Sequence, residues 1–115
     1  MRVVLVLGIL LAVFPHMALA HAVLLSSSPQ KDAAVSGPDI SINLRYNSRV
    51  DGARSTLSLQ KPDGTIEKID TVAQPAPDVL SATGRGLVKG AYVLRWQVLA
   101  SDGHITRGEV PFQIH

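Results

Sequence analysis

Cysteine is absent from the chain, which excludes disulfide staples, thiolate nucleophiles and thiolate-held metal clusters. Methionine occurs only as Met1 and Met17, so the sequence beyond residue 17 has no thioether either, and a metal bound there is held by nitrogen and oxygen. Aromatic residues are few, and a formal charge of +2 over 115 residues is scattered without a basic stripe. A chain with neither a stacking platform nor a phosphate-binding track is not expected to bind nucleic acid. Helical apolar stripes are missing as well. The one long apolar run lies at the N-terminus.

That run has the three parts of a secretory signal in order. Met1 and Arg2 form a short positive start, Val3 to Phe14 an apolar stretch, and Ala18-Leu19-Ala20 a small-x-small cleavage site. A membrane-spanning helix needs about 20 apolar residues, and Pro15 and His16 end this run first. The expected organisation is a cleaved signal peptide over residues 1–20 and a single β domain over residues 21–115. Export and no membrane insertion after cleavage follow from it. Removing 20 of the 115 residues leaves 95, enough for one core and too few for two.

The remaining chain alternates apolar and polar residues at period two, the mark of half-buried strands. Ile40, Ile42, Leu44 and Tyr46 share one strand face, and Leu57 and Leu59 mark a second strand. Pro62-Asp63-Gly64 reads as a turn, with Ile66 and Ile69 resuming beyond it. Tyr92, Leu94, Trp96 and Val98 form the most regular stripe; Val110, Phe112 and Ile114 form the last. Ser101 to His104 then falls in a hairpin connection. Residues 26–38 and 71–78, rich in Pro, Ser and Gly, read as long loops. The expected fold class is all-β, an antiparallel Greek-key sandwich or barrel, immunoglobulin-like, of about seven strands. Leu87, Gly90 and Tyr92 have the spacing of a tyrosine corner in such sandwiches, and Tyr92 and Trp96 are expected in the core.

The chemistry concentrates on His21. As the first residue after cleavage it would offer an α-amine beside its imidazole, two nitrogens that close a chelate ring on a metal ion. Asp102 and His104 stand two apart in Ser101-Asp102-Gly103-His104. In an extended stretch their Cα atoms would be roughly 6.6 Å apart, with both side chains on one side. Three nitrogens and one carboxylate oxygen in a near-planar set suit Cu(II), with Zn(II) a poorer geometric fit. The candidate metal ligands are therefore His21, Asp102 and His104, for one Cu(II) per chain, with no Cu(I) site expected. Affinity should fall in acid, because the amine and both imidazoles must lose protons to bind. His115 reads as a frayed terminus, and Arg107 and Glu109 as a solvated strand face.

At this point the chain resembles the CopC-type periplasmic copper-binding proteins. The resemblance runs from His21-Ala22, Leu24, Ser27 and Pro29 to Tyr92, Trp96, Ser101-Asp102-Gly103-His104, Gly108 and Phe112. It implies a Greek-key β-barrel or sandwich and a Cu(II) site at His21, Asp102 and His104. It also implies a non-enzymatic copper carrier or buffer in copper resistance or homeostasis, with a CopD-like inner-membrane copper transporter as candidate partner; a small soluble domain with its sheet edges managed is expected to be a monomer. Two other readings stand beside it. One is a histidine-brace copper oxygenase, which needs an open coordination position and a substrate surface; the other is an immunoglobulin-like interaction module without metal.

Overall fold

Period-two alternation in the sequence becomes a two-sheet sandwich. A computed structural model describes residues 21–115; the expected signal peptide, residues 1–20, lies outside the described residues. The strands are β1 (Leu24–Ser28), β2 (Ala34–Val35), β3 (Ile40–Tyr46), β4 (Thr56–Gln60), β5 (Ile66–Ile69), β6 (Val79–Gly84), β7 (Gly90–Leu99) and β8 (Ile105–Ile114), with one 3-10 turn at Gly52–Arg54. One sheet has the order β1-β3-β6 and the other β2-β8-β7-β4-β5. Both sheets are open, so of the two architectures left standing by the sequence the sandwich holds and the closed barrel does not.

The inward faces are those that the alternation marks. Ile42, Leu44 and Tyr46 of β3 meet Leu57 and Leu59 of β4, Leu94, Trp96 and Val98 of β7, and Val110 and Phe112 of β8 in one buried cluster. Burying each such side chain contributes about 1.5–3 kcal/mol relative to leaving it in water. Tyr46 and Trp96 join the sheets edge to face, ring centroids 5.3 Å apart at 72°. Gly108 lies directly across the ladder from Trp96, and a Cβ there would collide with the indole. Tyr92 stacks on Phe112 with centroids 5.5 Å apart, and its hydroxyl donates to the Val88 carbonyl at 2.8 Å, closing the expected tyrosine corner.

The structure corrects the sequence reading in three places. Residues 26–38 are not all loop: β1 runs through Ser28 and β2 occupies Ala34–Val35. β1 shows no apolar alternation because it is an edge strand whose residues are exposed or half-buried. The ladders are not all antiparallel, since Ala34 and Val35 pair parallel with Gln113 and Ile114. With β1, β2 and β6 added to the five that the sequence marks, the strands number eight among the described residues. β6 turns Leu80 and Ala82 into the core, but its Ser, Ala, Thr and Gly hide that face from a hydrophobic-pattern reading.

Candidate metal centre

The β7–β8 hairpin is closed by a tight turn. Gly103 N–H donates to the Ala100 carbonyl at 2.9 Å, and Ala100 N–H donates to the His104 carbonyl at 2.8 Å. Gly103 has φ +86°, a left-handed conformation that glycine adopts without a Cβ penalty. Ser101 and Asp102 thus occupy the centre of a turn that ends in a left-handed glycine, a common three-residue hairpin connection. This replaces the extended stretch expected from the sequence: Asp102 and His104 are near each other because the chain turns.

Within the turn, Asp102 Oδ1 accepts the His104 N–H at 2.9 Å. Asp102 Oδ2 is left facing the His104 ring, 3.1 Å from Nδ1. That Nδ1 is shielded from solvent and has no aligned hydrogen-bond partner. A solvent-shielded ring nitrogen without a partner costs free energy, and with the carboxylate beside it the pair has the chemistry to share a cation. The His104 N–H bond is the main reason that the Asp102 carboxyl sits below its usual range; partial burial opposes it, and the His104 and His21 imidazoles add to it.

His21 arrives from the other sheet, just ahead of β1. Its ring centroid is 5.3 Å from that of His104, with the rings nearly perpendicular at 79°. Ala22, the next residue, is 1 % exposed and packs in the core, which holds the end of the strand against the body of the domain. Val23 N–H donates to Asn47 Oδ1 at 2.8 Å, and Asn47 N–H donates to the Val23 carbonyl at 3.0 Å. Asn47 is a contact that the sequence reading missed, because a polar residue just past a strand gives no local sign of a partner 24 positions away.

The three candidate ligands therefore gather at one end of the sandwich, near its surface: the side chains of His104 and Asp102 are 44 % and 24 % exposed. Among the described residues, no three His, Asp or Glu side chains form a ready-made metal cluster. While His21 remains joined to Ala20 its nitrogen is an amide, and the donors in place are two imidazoles and one carboxylate. Those donors, the unpartnered Nδ1 of His104 among them, fit a nitrogen- and oxygen-preferring divalent ion. His115 lies beyond the far end of β8, roughly 35 Å along the strand from His104. On the outer face of the sheet, Arg107 Nε donates to Gln97 Oε1 at 2.7 Å and Glu109 sits 3.7 Å from Arg95; all of these lie on strands β7 and β8.

Comparison with known proteins gives a consistent result. The CopC domain family matches residues 24–115. Copper resistance protein C from Xanthomonas campestris pv. juglandis is 31 % identical over 109 residues, covering 84 % of this chain and 82 % of that protein. The crystal structure of CopC from Methylosinus trichosporium OB3b superposes with a TM-score of 0.75 at 29 % identity, over 82 % of this chain and 93 % of that one. PcoC, a methionine-rich copper resistance protein from Escherichia coli, superposes with a TM-score of 0.68 at 26 % identity, over 84 % of this chain and all of that one.

Proposed function

The chain belongs to the CopC family, and from that premise we propose that it is an exported carrier or buffer for Cu(II). One ion per chain is held by the amine and imidazole of His21, the imidazole of His104 and the carboxylate of Asp102. The observation that carries the reading is the approach of His21 to His104, ring centroids 5.3 Å apart, with Asp102 Oδ2 beside the unpartnered His104 Nδ1. Asp102 and His104 are preorganised by the hairpin, and His21 is brought to them by folding.

The oxidation state follows from donor chemistry. Thiolate and thioether ligands favour Cu(I), whereas amine, imidazole and carboxylate suit Cu(II). The sequence after Met17 offers only the second kind. Methionine-rich PcoC and this chain thus differ in the donors that would hold Cu(I). The half-exposed site suits a protein that takes up and releases its cargo, and the reading is of binding without turnover. A periplasmic location, a monomer and a CopD-like membrane acceptor complete it.

The deciding experiment is a Cu(II) titration, followed by electron paramagnetic resonance, of protein beginning at His21 beside a control carrying one additional residue before it. The processed form should bind one copper with nitrogen-rich coordination, on the order of 100-fold more tightly than the control. Equal binding by the two would sink the chelate.

A further inference from the structure

The two halves of the donor set come from different sheets, and one short segment holds both. Residues 47–51 leave β3 and cross towards the five-stranded sheet. On that side Val50 bridges Ala100, Asp51 N–H donates to the Leu99 carbonyl at 2.9 Å, and Ser101 N–H donates to the Arg49 carbonyl at 3.2 Å. These bonds hold the turn that carries Asp102 and His104, and they are backbone bonds that any sequence could supply. On the other side, beyond the packing of Ala22 and one backbone bond, the hold depends on a side chain. Strand pairing between β1 and β3 begins at Leu24 opposite Tyr46, so residues 21–23 lie ahead of the ladder. Asn47 extends the pairing to Val23, donating through its backbone N–H and accepting through Oδ1.

We infer that Asn47 is a positioning residue for the copper site: its side-chain amide oxygen fixes the path of residues 21–23 against the same crossing segment that holds the 100–104 turn. It thereby sets the separation of His21 from His104. Asn47 is itself exposed, so replacing its side chain removes little packing. The inference rests on the Cu(II) reading above and adds to it a residue that binds no metal.

The test uses Asn47→Ala and Asn47→Asp in protein beginning at His21, with two readouts. Without metal, hydrogen exchange at the Val23 amide should be about tenfold faster in Asn47→Ala and close to wild type in Asn47→Asp, which keeps an acceptor oxygen. Cu(II) affinity, measured by competitive titration, should fall about tenfold in Asn47→Ala, with an altered resonance spectrum, and stay within about threefold of wild type in Asn47→Asp. Unchanged Val23 exchange in Asn47→Ala, unchanged copper affinity, or equal losses in the two variants would each overturn the positioning role. If wild-type protein and its one-residue-extended control bind copper alike, the Cu(II) reading fails and takes this inference with it. If that contrast holds while Asn47→Ala binds as wild type does, this inference alone falls.

Discussion

Two carboxylates, those of Asp63 and Asp102, are set by their turns. In the β4–β5 hairpin, Asp63 Oδ1 accepts the Thr65 hydroxyl at 2.7 Å and the Thr65 N–H at 2.9 Å. The hydroxyl bond is the chief reason that the Asp63 carboxyl lies below its ordinary range, with the N–H bond second. A carboxyl lowered by folding contributes stability above its unfolded pKa, about 3.9, and loses it as pH falls through the lower folded value. A carbon-detected NMR titration should place the Asp63 midpoint below that of an unperturbed aspartate, and Thr65→Val should move it back up; an unmoved midpoint would show that the hydroxyl is not the cause. Asp102 uses the same device towards His104 N–H, and this orders the turn before any ion arrives. The sequence singles out His21, Asp102 and His104 by position, His21 after the expected cleavage site and Asp102 and His104 two apart in a turn, in a sequence without sulfur beyond Met17. Asn47 is not singled out, since its role depends on which strand end it meets.

The most legible stretches were Tyr92–Val98 of β7 and Val110–Ile114 of β8, because there apolar residues that point into the core alternate with less buried ones. β1 and β6 were not. One is an edge strand with little to bury, and the other fills its inward positions with small residues. The close fit of Trp96 over Gly108 could be seen only in three dimensions, since it depends on the register of β7 against β8. Gly108→Ala would force the indole or the ladder to move, and overpacking of this kind costs about 1–3 kcal/mol. Thermal or denaturant unfolding should show that loss with the far-ultraviolet spectrum unchanged, and wild-type stability in the variant would mean that the indole has room to shift.

For the molecule as a whole, the proposed donor set joins residues more than 80 positions apart in a chain of 115, so copper binding by it would be coupled to complete folding. A ligand present at about 100 times its dissociation constant stabilises the folded state by about 2.7 kcal/mol. For a domain of this size that corresponds to a rise in melting temperature of roughly 10–20 °C. Calorimetry with Cu(II) should show the rise in protein beginning at His21 and little of it in the extended control; equal shifts would mean that copper binds elsewhere. The packing of Ala22 has a further consequence, one of timing. In the finished domain Ala22 is 1 % exposed and Val23 N–H is tied to Asn47, so the backbone just after the Ala20–His21 bond is no longer free to be laid out in a peptidase cleft. All-β domains built on distant pairings fold in milliseconds to seconds. Under the proposed cleavage, cutting and folding would run in competition, and molecules that fold first would carry an amide at His21 where the others carry an amine.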